Sequence, residues 1–282
     1  MKIIRYTGSK HKSAGLIVDL IPKDIQVYLE VFCGSAAIGS CLYEYFEATG
    51  KPHPTYVFND HYKPLIDLFR LLAGPKTGVQ KLIDWRNRLT PEKDHVPEIL
   101  AEAEQQKKIL RQTGSPESFW FLNRLAYGGF VLPDERQDVC SITRQAILSR
   151  PGLTRCKPTD LWRAREQLKN VNFSSQDYKS FLDGYFDTCG IGKGFLYFDP
   201  PYYGLNVLYP GGGWTQDQHR EFWNVLQQIK HTCRFLVSYG PLPYSLSDFE
   251  NMGFRVLSHQ LKYTNIQTKK REDSTEFLIM NY

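Results

Sequence analysis

The sequence predicts a doubly wound α/β sheet, with a C-terminal antiparallel hairpin and a mostly helical insert. Short apolar runs that stop at turn residues alternate with helical patterns, which is typical of a largely parallel sheet. Between residues 74 and 157 this alternation is broken by a stretch punctuated with Pro and Gly. We therefore assign residues 1–73 and 158–282 to one domain and residues 74–157 to an inserted domain.

The composition is that of an ordinary globular protein, with 282 residues, 41% of them hydrophobic and 23% charged. No apolar run approaches the ~20 residues needed to span a bilayer, and the N-terminus has no signal-peptide core. Six scattered cysteines without a Cys-x-x-Cys pair argue against a zinc site and favour reduced thiols. Reduced thiols are compatible with a cytoplasmic protein, and we expect no membrane association and no metal. The net charge of +5 permits a polyanionic partner without requiring one.

The first predicted strand, 27–32, runs into a loop around Gly34 and then a helix, 36–48. Glycine lets the backbone approach a ligand closely, and the helix start offers free N–H groups with a positive dipole end. The loop has no G-x-G-x-x-G pattern, so NAD or FAD binding is not supported. By itself the loop is a weak indication of a ligand site.

The second predicted strand, 55–60, ends in Asn59-Asp60. An acid at the tip of the second strand suits hydrogen bonds to ribose hydroxyls. The pair could also cap the helix predicted over 62–72. Both roles are compatible, with Asn59 as the cap and Asp60 on the ribose.

The predicted insert contains a polar helix, 98–111, and an aromatic stretch, 119–130, followed by basic, turn-rich sequence. Arg and Lys outnumber Asp and Glu between residues 120 and 170. Basic side chains between aromatic ones suit phosphate contact and insertion between bases. The alternative is a solvated charged face over a small aromatic core.

After the insert, a helix (158–170) and a short strand (171–173) precede Asp177, which opens a helix over 178–186. Asp177 is either an N-cap or a ligand-binding acid, and the sequence does not decide between them. Helix 216–230, strand 234–240 and the paired segments 254–258 and 274–280 complete the predicted sheet.

The apolar run 195–198 reads as a buried strand that stops at Asp199. The two prolines that follow cannot continue a central strand, so a carboxylate is presented at the strand's carboxyl end, where ligands bind in open α/β sheets. Asp199 and the carbonyl of Pro200 could accept the two N–H groups of an exocyclic amine, and Pro201 has no N–H to compete. Tyr202 could stack on a base. The alternative is a turn that only ends the strand.

With this motif, the strand–loop–helix at 28–39 resembles the amino-methyltransferases that use S-adenosylmethionine. The chain most resembles the Dam-like (D12 class) DNA N6-adenine methyltransferases with the α-type motif order, in which a target-recognition region separates the cofactor motifs from Asp-Pro-Pro-Tyr. The resemblance extends over 6–10, the loop at Gly34, 59–60, 199–202 and 276–282. Two positions depart from the usual pattern: Tyr6, where many members have Trp, and Ala36, where a second glycine is common.

The resemblance implies methyl transfer from S-adenosylmethionine to N6 of a flipped-out adenine in double-stranded DNA, by a chain expected to act as a monomer. Asp199, Pro200 and Pro201 would hold the amine and Tyr202 would stack on the base. The implied cofactor-binding residues are Tyr6, Gly8, Lys10, Phe32, Cys33, Gly34, Ser35, Asp60, Asp177, Tyr178 and Asp199. The implied DNA contacts are Asn123, Arg124, Tyr127, Arg136, Arg144, Lys269 and Lys270.

Three alternatives stay open at this point: an N4-cytosine methyltransferase, an RNA amino-methyltransferase, and a catalytically idle nucleic-acid-binding relative. Asp rather than Ser at position 199 disfavours the first. The recognised DNA sequence and the existence of a cognate restriction nuclease are left open.

Overall fold

The computed structural model describes residues 3–6, 8–88, 95–131, 140–149, 155–189, 193–202, 214–240, 244–264 and 271–282. Three of the predicted DNA contacts, Arg136, Lys269 and Lys270, lie outside these ranges. Within the described part of the chain, no helix is long and apolar enough to cross a membrane.

Seven strands form one mixed sheet, in the order β3-β2-β1-β4-β5-β7-β6. The first five are parallel, β7 is antiparallel to β5, and β6 is antiparallel to β7. The predicted doubly wound sheet with a C-terminal hairpin is thereby confirmed. The strands are β1 Val27–Glu30, β2 Thr55–Asn59, β3 Val171–Ser174, β4 Gly194–Phe198, β5 Arg234–Tyr239, β6 Arg255–Thr264 and β7 Arg271–Met280.

Helices flank the sheet and fill most of the described part of the insert. Side-chain oxygens of Ser115, Thr215 and Ser245 cap the helices that follow them, as expected for these residue types. The helices are α1 Ala14–Leu20, α2 Ala37–Thr49, α3 Lys63–Ala73, α4 Lys76–Arg88, α5 Val96–Thr113, α6 Pro116–Leu125, α7 Arg144–Ser149, α8 Pro158–Leu168, α9 Tyr178–Cys189, α10 Gln216–Ile229 and α11 Leu246–Asn251.

Alternate residues of each strand enter apolar clusters on opposite faces of the sheet. Tyr28 and Phe195 face the cluster that also contains Ile99 and Trp120 of the insert. The opposite face packs against α10. The core is therefore continuous from the sheet into the insert, and the division into two domains stays a prediction.

The central strand β1 lies between β2 and β4. The strands β2 and β3 extend the sheet on one side of β1, and β4 and the later strands extend it on the other side. Such a switch point opens a crevice at the carboxyl ends of the two strands that flank it. The loop at Gly34 follows β1, and Asp199 follows β4. The topology thus brings the two motifs together although 165 residues separate them.

Candidate active site

A cavity of about 380 Å³ lies at this crevice. Its wall is built from the N-terminal segment, the loop after β1, the end of β2, the start of α9 and the end of β4. All the residues predicted to bind the cofactor lie on it, namely Tyr6, Gly8, Lys10, Phe32, Cys33, Gly34, Ser35, Asp60, Asp177, Tyr178 and Asp199. Their grouping is a property of the fold, and their contact with a cofactor stays a prediction.

The loop after β1 has the backbone that a close-fitting ligand cradle requires. Gly34 has φ +45°, and a Cβ added there would lie 2.8 Å from Cε1 of Tyr6. Ala36 is also left-handed, with φ 50° and ψ 40°. This is a conformation that glycine adopts freely and that costs alanine roughly 1–2 kcal/mol. Alanine at this position therefore has a left-handed backbone conformation that glycine would also adopt.

Asp60 shapes that loop from the end of β2. It is buried, and its two carboxylate oxygens accept hydrogen bonds from the backbone N–H groups of Gly34 and Tyr62, both at 2.9 Å. Burial raises the pKa of this carboxyl group, and the two backbone bonds oppose that rise. Each oxygen keeps a lone pair for a further donor such as a ribose hydroxyl.

Asn59 is not the helix cap suggested as one alternative. Its Nδ2 donates to the carbonyls of Val31 and Gln176, at 3.0 and 3.1 Å, and its Oδ1 accepts from the N–H of Gln176 at 3.1 Å. It therefore joins the ends of neighbouring strands. At the start of α3, the backbone N–H of Tyr62 donates instead to Oδ1 of Asp60.

Asp177 caps α9 at the rim of the cavity. Oδ1 accepts from the N–H groups of Lys179 and Ser180, both at 3.1 Å, and Oδ2 accepts from the Ser180 hydroxyl at 2.6 Å. The Ser180 bonds come first among the causes that lower the pKa of Asp177. The N-cap interpretation is confirmed, and a cofactor contact by the same exposed carboxylate stays a prediction.

An aromatic wall stands beside Asp177. The ring of Tyr178 lies 5.6 Å from Phe32 and 5.4 Å from Trp214, measured between ring centroids. All three residues line the cavity. Such a wall is suited to a flat heterocycle, because aromatic faces stack on any nucleobase.

The opposite end of the cavity holds a buried ionic cluster around Asp199. The ammonium of Lys10 donates to both oxygens of Asp199, at 2.6 and 2.7 Å, and to the carbonyl of Gly8 at 3.2 Å. It lies 3.3 Å from Oε1 of Glu276. Burial raises the pKa of Asp199 to about 6, Lys10 lowers it, and the charge of Glu276 raises it. Lys10 was predicted to bind the cofactor, and the group that it contacts here is the predicted catalytic carboxylate.

Tyr202 belongs to the same cluster. Its hydroxyl donates to Oε1 of Glu276 at 2.8 Å and lies 3.2 Å from Oδ1 of Asp199. Its ring packs so closely on Gly240 that an added Cβ there would lie 2.2 Å from Cδ2 of the ring. The adjoining ring of Tyr239 is 5.4 Å away. The predicted stacking of Tyr202 on a base stays a prediction, whereas the role of its hydroxyl was not foreseen.

Glu30 and Glu276 are acids of this site that the sequence analysis missed. Glu30 ends β1, is 1% exposed and lines the cavity, and its Oε2 accepts from the N–H of Gly39 at 2.9 Å. Burial raises its pKa to about 8. Glu276 is 2% exposed within β7. The available signals were an acid that directly precedes the glycine loop and a lone acid beside the apolar residues 277–280.

Asn123 was predicted to contact DNA, and the structure gives it a different role. It is 1% exposed, and its Oδ1 accepts from the N–H of Arg5 at 2.8 Å. Its Nδ2 donates to the carbonyls of Arg5 and Gly129, at 2.8 and 2.7 Å. Gly129 has φ +80°, and an added Cβ would lie 2.5 Å from the Arg5 carbonyl oxygen. Asn123 and Gly129 thus hold the residue that precedes Tyr6 of the cavity wall.

The other predicted DNA contacts divide by exposure. Arg124 is buried, and burial lowers its pKa, so in this arrangement it does not face a polyanion. Tyr127, which is 46% exposed, and Arg144 lie at the surface. Direct DNA contact therefore stays a prediction for Tyr127 and Arg144. Trp120 is fully buried and donates to the carbonyl of Ile3 at 3.0 Å, which agrees with the core interpretation of this aromatic stretch.

Comparison with known proteins gives one family match and one similar curated relative. The model of the D12 class N6 adenine-specific DNA methyltransferases matches residues 6–271. A type II methyltransferase, M.CviBI of Paramecium bursaria Chlorella virus NC1A, is 23% identical over 245 residues, which are 83% of this chain and 82% of that protein.

Among the solved structures that match this chain are two methyltransferases of low sequence identity. A SAM-dependent methyltransferase from Agrobacterium tumefaciens has a TM-score of 0.39 at 10% identity, with 96% of this chain and 59% of that chain covered. An rRNA methyltransferase, aviRa from Streptomyces viridochromogenes, has a TM-score of 0.38 at 11% identity, with 98% and 87% covered. This chain therefore spans about three fifths of the length of the first structure. At these TM-scores neither structure is used to assign this chain to a family or a function.

Proposed function

Because the chain belongs to the D12 class of N6 adenine-specific DNA methyltransferases, which methylate adenine in DNA from S-adenosylmethionine, we propose that Asp199 and the carbonyl of Pro200 hold the N6 amine of a flipped-out adenine. The observation that carries this proposal is the pair of bonds from the Lys10 ammonium to Asp199. They mark the carboxylate on the cavity wall as an acceptor for a nitrogen that bears hydrogens, and an exocyclic amine is such a nitrogen.

The cavity fits the cofactor. Its volume of about 380 Å³ lies in the range of small-molecule sites, and the cradle at Gly34 would be filled by any side chain. We assign the ribose to Asp60 and the adenine ring to the aromatic wall of Phe32, Tyr178 and Trp214. The bound cofactor supplies a methyl group already activated on a sulfonium.

The residues of the chain then have to position the amine and set the charges around it. The lone pair of the adenine amine is delocalised into the ring, and two acceptors on its N–H groups favour a geometry in which that pair points at the methyl carbon. Asp199 supplies one acceptor in its ionised form, and Pro200 supplies the other. A water-poor site strengthens these bonds.

The carboxylate lies in a cavity rather than on a surface, so the adenine has to leave the duplex to reach it. We propose double-stranded DNA as the substrate form, with Tyr127 and Arg144 as candidate contacts and Tyr202 stacked on the flipped base. The idle alternative loses its main support, because Ala36 keeps the left-handed loop conformation. A cytoplasmic location and a monomeric state belong to the same proposal.

The test is single-molecule sequencing of a plasmid co-expressed with the protein. We expect N6-methyladenine in one short sequence motif. Asp199→Ala should abolish the modification while calorimetry still detects binding of S-adenosylmethionine. Near-normal methylation by that variant would refute the role of Asp199, and methylation of cytosine N4 or of RNA alone would refute the proposed substrate.

A further inference from the structure

Glu276 is a buried acid that lies behind the wall of the cavity. It extends from β7 and is 2% exposed. Tyr202 donates to its Oε1 at 2.8 Å, and the Lys10 ammonium lies 3.3 Å from the same oxygen. The Ser13 hydroxyl donates to its Oε2 at 3.4 Å. A buried carboxylate is costly unless it is paired, so this cluster needs a reason beyond packing.

The cluster places two carboxylates around one ammonium. Lys10 bonds both oxygens of Asp199, at 2.6 and 2.7 Å, and approaches Glu276 less closely. Oδ1 of Asp199 already accepts from both Lys10 and Tyr202, which occupies its two lone pairs. An amine that binds this oxygen therefore displaces the Lys10 ammonium. Withdrawing a buried ammonium from its partner costs several kcal/mol unless a second acceptor is already present. Glu276 is such an acceptor within reach of the same nitrogen.

We propose that Glu276 is a positioning residue that takes over the Lys10 ammonium when the target amine binds Asp199. Its bond to the Tyr202 hydroxyl holds that ring in place during the exchange. The inference rests on the proposed role of Asp199 as the acceptor of the amine. No bond to carbon is made or broken by Glu276, which acts through Lys10 and Tyr202.

The cluster also predicts a distinctive pH response, because ionised Asp199 accepts hydrogen bonds from the amine more strongly than the protonated acid does. Lys10 of the N-terminal segment lowers the pKa of Asp199, Glu276 of β7 raises it, and the Tyr202 hydroxyl lowers it by hydrogen bonding. Tyr197 of β4 and Glu30 of β1 are the other titratable groups that interact with Asp199. Burial is the main cause that raises the pKa of each, and the negative charge of Asp199 adds a smaller rise. Removing the charge of Glu276 should therefore lower the pKa of Asp199, and removing that of Lys10 should raise it.

The experiment measures single-turnover methyl transfer from labelled S-adenosylmethionine to unmethylated plasmid DNA between pH 5 and 9, with the full chain. For the isosteric Glu276→Gln we expect cofactor affinity within threefold of the wild type and a transfer rate 10- to 100-fold lower. The acid limb of its pH–rate profile should move to lower pH, and that of Lys10→Met to higher pH. Glu166→Gln, an exposed acid that pairs with Lys169 on the surface, should behave as the wild type.

A transfer rate within twofold of the wild type, or an unmoved acid limb, in Glu276→Gln would overturn the inference. Glu276→Asp provides an independent check, because it keeps the charge but shortens the reach. Its acid limb should stay at the wild-type position while its rate falls, and a limb displaced as in Glu276→Gln would count against the idea. Failure of the proposed function looks different, since Asp199→Ala itself would then methylate the plasmid at a near-normal level.

Discussion

Replacement of Asn123 by Ala should loosen the N-terminal segment and weaken cofactor binding, although Asn123 is absent from the described cavity wall. The substitution removes three hydrogen bonds to the backbone of Arg5 and Gly129, between 2.7 and 2.8 Å long. A buried hydrogen bond contributes about 1 kcal/mol net, and more when its partner is left unsatisfied. Because water reaches the half-buried Arg5, we expect the free energy of unfolding to fall by about 3 kcal/mol.

The effect on the cofactor follows from the next residue along the chain, Tyr6, which lies on the cavity wall. A loosened segment has to be ordered again when the cofactor binds. If ordering the segment costs about 1.4 kcal/mol of the binding free energy, the affinity for S-adenosylmethionine falls roughly tenfold. Urea unfolding measures the first quantity and calorimetry measures the second.

The matched control is Asn87→Ala, which removes an exposed amide that accepts from Nη1 of Arg86 at 2.7 Å. A surface substitution of this kind changes stability by less than about 0.5 kcal/mol. The reasoning would be refuted if Asn123→Ala were no more destabilising than Asn87→Ala. Unchanged cofactor affinity would show that other contacts, such as the bond from Trp120 to Ile3, hold the segment alone.

Three further substitutions test the site. Gly34→Ala should lower cofactor affinity at least tenfold by calorimetry, because a Cβ at φ +45° would stand 2.8 Å from an aromatic carbon of the cavity wall. The control Gly50→Ala, at φ +65° in open space, should leave that affinity unchanged. Gly240→Ala should reduce methylation but not cofactor binding, because it displaces the ring of Tyr202; equal losses of both would contradict this. Burial raises the pKa of Glu30 from 4.5 to about 8, so its protonated form stabilises the fold below about pH 4.5 and this contribution is lost as the pH rises toward 8. Urea unfolding should therefore show the wild type losing stability relative to Glu30→Gln between about pH 5 and 8, and a constant difference would contradict the buried, protonated state.

Local features of the chain, together with the family resemblance, were enough to predict the main elements of the site. The turn after Phe198 is visible because prolines cannot continue a strand, and Gly34 marks a turn because glycine accepts a positive φ. Strand and helix alternation then predicts the parallel sheet, whose carboxyl edge collects both motifs. These signals depend on neighbouring residues alone, and the structure confirms that they converge on one cavity.

Tertiary structure alone decided which polar groups are partners. Lys10 and Asp199 are 189 positions apart, and Arg5 and Asn123 are 118 apart. An asparagine or a glutamate carries no local sign of whether it will face solvent or be buried against distant backbone. Asn123 was therefore predicted to contact DNA from the family resemblance of its stretch, and Glu276 was passed over within its strand. Propensity and periodicity act over a few residues, whereas burial and ion pairing depend on which distant segments the completed sheet brings into contact.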